Sequence, residues 1–211
     1  MYSDLTAVIV AGGKSSRMGR EKALMRFKGR TMIEHSLTLL SPLFPMVAIN
    51  TNRPDDFEFL GVPTFPDVFR EAGPLGGIHA ALTRMESPKV FILGCDIPLM
   101  TRDIIRTIVE FPSDRPIVIP HADGFLQPLC GVYAKGITDI IAHLIDKREN
   151  RDGATKRCGM FDLTRLVPTT VLTIEEECST YRAGAFLNMN RPDEYQLLLQ
   201  HEENNETPFN C

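Results

Sequence analysis

Several places in this chain bring together residue types that can do chemistry. The most informative is Val8-Ile9-Val10-Ala11-Gly12-Gly13-Lys14-Ser15-Ser16-Arg17-Met18-Gly19-Arg20-Glu21-Lys22. Three β-branched residues read as a buried strand, two glycines break it, and a basic loop follows. Glycine lets backbone N–H groups come close to an anion, and Arg17 and Lys22 add positive charge, so the stretch suits a phosphate. It lacks the earlier glycine of a P-loop, and Gly12-Gly13 with Gly19 does not spell the dinucleotide fingerprint Gly-x-Gly-x-x-Gly.

Asp96 follows a hydrophobic run, in Cys95-Asp96-Ile97-Pro98. A carboxylate there can hold Mg²⁺ beside a triphosphate, because Mg²⁺ takes one or two carboxylates and completes its shell with phosphate and water. A loop or helix-capping aspartate is the plainer alternative. Cys95 is a weak nucleophile candidate, since no base is identifiable for it. Asp67 can accept hydrogen bonds from a base or a ribose, or serve as an ordinary turn residue after Pro66. Gly73-Pro74-Leu75-Gly76-Gly77 reads either as a close backbone approach to a nucleotide or as a tight loop before a helix. Asn188 and Asn190 flank Met189 after a short strand, and alternation puts both on one side of the chain, for a metal, a substrate or a turn. The five histidines show no metal spacing and read as packing or surface residues.

The chain has 211 residues, 43% hydrophobic and 24% charged, which is a globular composition with room for a sizeable core. A net charge of -4 gives no basic field for nucleic acid, although one local basic loop is enough for a nucleotide. Five cysteines without close pairing or zinc spacing suit reduced thiols and a cytoplasmic location. The first residues lack the pattern of a signal peptide, and no apolar run reaches the ~20 residues of a membrane span.

Those groups need elements to position them. Strands are expected at Thr6–Val10, Met46–Asn50, Val62–Phe65, Val90–Gly94, Pro116–Pro120, Leu129–Tyr133 and Val167–Ile174, with a further short one over Ala23–Phe27 and another over Ala185–Leu187. Helices are expected from Thr31, as cap, to about Leu40, over Ile78–Met85, over Arg102–Glu110 capped by Thr101, over Gly136–Lys147, and from Pro192 to about Gln200. Asp55–Leu60 reads as one or two helical turns. Arg148–Lys156 reads as a charged, mobile stretch, and residues 201–211 as a flexible tail on a single domain spanning 1–211. Strands alternating with helices predict an α/β fold, a three-layer αβα sandwich around a mostly parallel sheet. Ligands of such sheets bind beyond the carboxyl ends of the strands, where the first loop, Asn50, Asp67 and Asp96 all fall.

The motifs Val10 to Lys22, Gly73 to Gly77, Cys95 to Pro98 and Asn188-Met189-Asn190-Arg191-Pro192-Asp193-Glu194 resemble, in order and spacing, the molybdenum cofactor guanylyltransferases, the MobA family. The resemblance runs over about residues 6 to 200. It implies a Rossmann-like nucleotidyltransferase fold, of the nucleotide-diphospho-sugar transferase type. It implies transfer of GMP from GTP to the phosphate of molybdenum-molybdopterin, with Mg²⁺ as cofactor and pyrophosphate as leaving group. It implies nucleotide contacts at Val10, Ala11, Gly12, Gly13, Arg17, Lys22, Asn50, Asp67, Gly76 and Asp96. Arg17, Lys22 and Asp96 would carry catalysis, Asp96 and Asn190 the metal, and Asn188 and Asn190 the pterin substrate. Partners would include the molybdenum-insertion protein or molybdoenzymes, with no nucleic acid and no membrane. Three residues depart from the family pattern: Val10 for Leu, Glu21 for Asp and Arg191 for Thr. The rival readings are a related transferase using CTP or another phosphorylated acceptor, and a nucleotide-binding regulator without turnover.

Overall fold

The computed structural model describes residues 1–12, 22–149 and 159–188. Strand β1 (Leu5–Val10) is followed, in the described chain, by a small antiparallel hairpin of β2 (Arg26–Phe27) and β3 (Arg30–Thr31). Its turn carries Lys28 and Gly29 at positive φ, as Lys-Gly between two extended pairs requires. Helix α1 (Met32–Leu40) starts from a reciprocal cap. The Glu34 N–H donates to Thr31 Oγ1 at 3.4 Å, and the Thr31 N–H donates to Glu34 Oε2 at 2.7 Å. Then come β4 (Val47–Asn50), a 3₁₀ segment over Pro54–Leu60, β5 (Thr64–Phe65), α2 (Pro74–Arg84) and β6 (Lys89–Gly94). Helix α3 (Arg102–Glu110) is capped by Thr101, whose Oγ1 accepts the Ile104 N–H. Strands β7 (Ile117–Ala122), β8 (Phe125–Leu126) and β9 (Cys130–Ala134) precede α4 (Thr138–Glu149), α5 (Met160–Leu166), β10 (Thr169–Thr173) and α6 (Ile174–Glu177).

The main sheet has the order β10-β7-β9-β6-β1-β4-β5, with β8 paired onto β7. Strand β1 is parallel to both β4 and β6, β4 to β5, and β7 to β10, while β9 runs against β6 and β7. Side chains alternate between two cores, as the period of two requires. Ala7, Ile9, Phe91 and Leu93 pack with Ile33, Leu40, Ile104, Ile105 and Ile108, under α1 and α3. Val8, Val10, Val90 and Ile92 pack with Leu75, Ile78, Leu82, Ile141 and Leu163, under α2, α4 and α5. These are the expected three layers. The chain leaves β1 through α1 on one face to reach β4 and β5, then returns through α2 on the other face to β6, on the far side of β1. The strand order therefore reverses between β1 and β6, where open α/β sheets bind ligands.

Some expectations shift. Gly73-Pro74-Leu75-Gly76-Gly77 is not a loop before the helix. Gly73, at φ 65 and ψ −145, turns the chain, and Pro74 opens α2 at once, its fixed φ and missing N–H costing nothing there. Ala23–Phe27 divides into a 3₁₀ turn over Lys22–Leu24 and the two-residue β2. Val62 and Pro63 precede β5 rather than belonging to it. The residues Ala185–Leu187 form successive turns, with Ala185 N–H on Arg182 O and Leu187 N–H on Gly184 O, so strand alternation does not orient Asn188. Helix α5 was not anticipated; its cap is Gly159, whose N–H donates to the Asp162 carboxylate at 3.0 Å. The helix expected from Pro192, the tail and most of Arg148–Lys156 lie outside the described residues. No described helix is long and apolar enough to cross a membrane.

Candidate active site

The site is built where four parallel strands end. Val10 and Gly94 are partners in the β1–β6 register, and Val10 and Asn50 in the β1–β4 register. Past those ends the ladder continues. The Ala11 N–H donates to Asn50 O at 2.9 Å, and the Cys95 N–H donates to Val10 O at 3.3 Å. The backbone of Val10-Ala11 is thus clamped between the segment bearing Asn50 and the segment bearing Asp96, about one ~4.8 Å strand spacing from each. Gly12 follows, exposed, and a Cβ there would meet no atom of the described residues within 4 Å.

On the β4–β5 side the polar groups are tightly bound. Asn50 is 1% exposed. Its Nδ2 donates to Asp67 Oδ1 at 3.0 Å and toward Phe65 O at 3.4 Å. Both acceptors lie on one side of the amide, which places its nitrogen there. Its oxygen points instead at helix α2, where a Cβ on Gly77 would lie 2.8 Å from Asn50 Oδ1 and 2.9 Å from Val10 Cγ1. Gly77 is what allows the first turn of α2 to sit on Val10 and Asn50. Gly76, one residue earlier, faces the other way, and a Cβ there would stand 3.8 Å from Asp67 Cγ and 3.2 Å from Phe69 O. The Asp67 carboxylate therefore lies beside the N-terminal turn of α2, where the helix dipole favours negative charge. Asn52 adds two further bonds to Asp67, its Nδ2 donating to Oδ2 at 2.9 Å and its Oδ1 accepting the Asp67 N–H at 3.0 Å.

On the β6 side Asp96 is half-buried, between the buried Cys95 and Ile97. Gly94 makes room for it, since a Cβ on Gly94 would lie 3.0 Å from Asp96 Oδ1. Cys95 is 8% exposed and belongs to the core under α1 and α3, which removes it as a surface nucleophile. Among the described residues no three or more His, Cys, Asp and Glu gather into a metal cluster. A single hard carboxylate nevertheless suits Mg²⁺, which keeps several waters and draws its other oxygens from a bound substrate.

The remaining expected residues fall as follows. Lys22 is half-buried and opens the 3₁₀ turn, its carbonyl accepting the Met25 N–H at 3.0 Å. Asn188 is exposed, on a segment tied to the β7–β8 turn by the Gly184 N–H, which donates to Asp123 Oδ2 at 3.1 Å. Gly13, Arg17 and Asn190 lie outside the described residues. So Val10, Ala11, Asn50 and Asp67 are joined by the β1–β4 ladder and hydrogen bonds, Gly76 faces Asp67, and Asp96 is fastened to them through the Cys95–Val10 bond. The sequence reading named Gly77 only within the Gly73 to Gly77 motif, not for its packing on Val10 and Asn50, and gave Gly94 and Asn52 no part in the site. The Asn50-Thr51-Asn52 alternation was the available signal for Asn52, since residues two apart on an extended chain share a side.

Buried histidine plays no visible part in this site. His79, on α2, packs edge-on against Phe69 with ring centroids 4.8 Å apart. Burial lowers its pKa, against the opposing pull of Asp139 and Asp146 on α4.

The geometry meets a family model. The MobA-like NTP transferase domain matches residues 7–157. The chain belongs to this family. A relative from Carboxydothermus hydrogenoformans, named "Probable molybdenum cofactor guanylyltransferase", is 33% identical over 198 residues, covering 93% of this chain and 96% of its own length. The molybdenum cofactor guanylyltransferase of Aliivibrio fischeri is 29% identical, covering 90% of this chain and 92% of its own. The crystal structure of molybdopterin-guanine dinucleotide biosynthesis protein A from Archaeoglobus fulgidus shares the fold, with a TM-score of 0.76 at 19% identity over 94% of this chain and 99% of that one. Members of the MobA-like family are nucleotidyltransferases, and this chain is an enzyme of that class.

Proposed function

We propose that this enzyme transfers GMP from GTP to the terminal phosphate of molybdenum-molybdopterin. A phosphate oxygen of the acceptor attacks the α-phosphorus of GTP in line, the new P–O bond forms as the bond to the β-phosphate bridging oxygen breaks, and pyrophosphate leaves. The acceptor phosphate is already anionic at neutral pH, so no protein nucleophile is required. What the protein must supply is alignment and charge neutralisation.

The observation that carries this reading is the arrangement at the point where strand order reverses. The Val10-Ala11 backbone lies between Asn50, with Asp67 and Gly76, on one side and Asp96 on the other. In this reading the Val10 to Gly13 backbone, Asn50 and Asp67 hold the nucleotide. Gly76 leaves room beside Asp67, while Gly77 lets α2 pack against Val10 and Asn50. Arg17 and Lys22 neutralise the triphosphate and the departing pyrophosphate, as cationic groups do in phosphoryl transfer. Asp96 would hold Mg²⁺, with Asn190 as a second oxygen donor, and Asn188 and Asn190 would face the pterin. When bound, the metal would supply positive charge to the reacting phosphates. The cytoplasm and the molybdenum-insertion protein or molybdoenzymes complete the proposal as location and partners.

The test is release of pyrophosphate from GTP, with and without molybdenum-molybdopterin, with CTP as control. Release that requires both GTP and the acceptor is expected. Equal release with CTP would reassign the nucleotide, and nucleotide binding without any release would favour a regulator.

A further inference from the structure

We infer that Asn52 is a positioning residue of the nucleotide site, holding the Asp67 carboxylate in place; this rests on reading Asp67 as a nucleotide contact. Asn52 spends both ends of its amide on this one residue. Its Oδ1 accepts the Asp67 N–H at 3.0 Å, and its Nδ2 donates to Asp67 Oδ2 at 2.9 Å. A donor at one end and an acceptor at the other fix the amide's orientation without ambiguity. Asn50 takes the second carboxylate oxygen, Oδ1, at 3.0 Å. The carboxylate is thereby held by one amide N–H on each oxygen, from two residues on the same strand exit. Neither oxygen is free to swing about the Cβ–Cγ bond without breaking a bond to a charged acceptor, the stronger kind. A carboxylate has about four acceptor positions, so two remain for donors of a bound ligand.

The two asparagines differ in what they are built into. Asn50 is fully buried, packed by Gly77 and Val10, and part of the β1–β4 ladder. Asn52 is exposed, and among the described residues its side chain bonds to Asp67. A residue at the surface whose side chain serves one site carboxylate is a fit for positioning rather than for the core. Prepositioning of this kind lowers the ordering cost of binding without touching the ligand.

The experiment measures KM and kcat for GTP at saturating acceptor in the full-length chain carrying Asn52→Ala, Asn52→Asp, Asp67→Ala and the double change N52A/D67A. The Asn52→Ala chain is expected to show about a tenfold rise in KM for GTP with kcat within about twofold, as loss of a hydrogen bond to a charged group implies. In the Asp67→Ala background the same substitution is expected to have no further effect. Asn52→Asp separates the two bonds: it keeps an acceptor for the Asp67 N–H but sets an oxygen against Oδ2. A residue that only anchors the loop would tolerate it, whereas a residue that positions the carboxylate would raise KM at least as far as alanine does. Wild-type KM in Asn52→Asp, or additive effects in the double change, would overturn the inference and leave the proposed function standing. Wild-type KM in Asp67→Ala would overturn the nucleotide contact itself. Thermal unfolding midpoints of all four chains, read in parallel, show that the comparison is between folded proteins.

Discussion

Replacing Gly77 by alanine tests whether α2 sets the proposed nucleotide site through Asn50. The new Cβ would fall 2.8 Å from Asn50 Oδ1 and 2.9 Å from Val10 Cγ1, both closer than side-chain atoms tolerate. Val10 is fixed in the central strand, so relief must come from moving Asn50 or lifting the helix. Overpacking of this kind costs ~1–3 kcal/mol, and the gain of alanine over glycine in a helix returns up to ~1 kcal/mol. A net loss of ~1–2 kcal/mol lowers the unfolding midpoint by roughly 3–6 °C in a chain of this size. The larger effect is expected on binding. If Asn50 moves, its bond to the Asp67 carboxylate, now 3.0 Å, is strained or lost, and GTP affinity should fall by about tenfold or more. Thermal unfolding without nucleotide, followed by titration of GTP in Mg²⁺, reads both quantities. Gly136→Ala is the control, since a Cβ there meets nothing within 4 Å, and both quantities should stay at wild type. A Gly77→Ala chain with an unchanged midpoint and unchanged GTP affinity would refute the packing argument, because it would mean that α2 slides freely over Asn50.

Gly12→Ala should give the opposite pattern, since its Cβ meets no atom of the described residues within 4 Å but stands where the proposed nucleotide must approach the backbone: an unfolding midpoint at wild type and a raised KM for GTP. Asp96→Ala should remain folded by circular dichroism and lose nearly all turnover, and near-normal activity at saturating Mg²⁺ would remove the metal assignment. Lys22→Ala should lose at least ~10-fold in rate, measured as pyrophosphate release. Thr31→Ala should destabilise the chain by ~1 kcal/mol, read by urea unfolding, because it takes the hydroxyl acceptor from the first turn of α1. Glu34 links that cap to pH. Its carboxyl is held below the ordinary value of 4.5, first by the backbone bond from Thr31 and then by the side-chain bond, so its small contribution is full above that value and fades as pH falls through the lowered one.

The sequence was most legible where one local rule decides the outcome. Thr31 and Thr101 marked their helix starts to the residue, because a hydroxyl acceptor before an apolar repeat has few other uses. The unbroken β-branched run in β1 marked a strand covered on both faces. Gly73 to Gly77 was misread because glycine and proline weaken a helix in general, whereas here Pro74 is at the one position that suits it and Gly77 is required by what lies across from it. That requirement is tertiary: Val10 and Asn50 stand far from Gly77 along the chain, and nothing in the local spacing announces them. The same holds for Asn52, which reads as an exit-loop residue until Asp67 is seen beside it. The candidate site was legible as a set of strand-end residues, but which of them touch was not.

The strand order also explains why the two halves of the site can be far apart in the chain and close in space. Val10 and Gly94 are register partners on adjacent parallel strands. Each strand is released into its loop at the same height, and the Cys95 N–H still holds Val10 O beyond the last paired residues. Any ligand lying on the Val10-Ala11 backbone is then within about one strand spacing of the Asp96 backbone, without a lid or a domain closure to bring them together. The two cores make this spacing stiff, because β1 and β6 are packed on both faces by helices. A substitution that loosens either core should therefore weaken nucleotide affinity and stability together. One confined to the loop ends, such as Gly12→Ala, should separate them, and that contrast distinguishes alignment by the sheet from alignment by the loops.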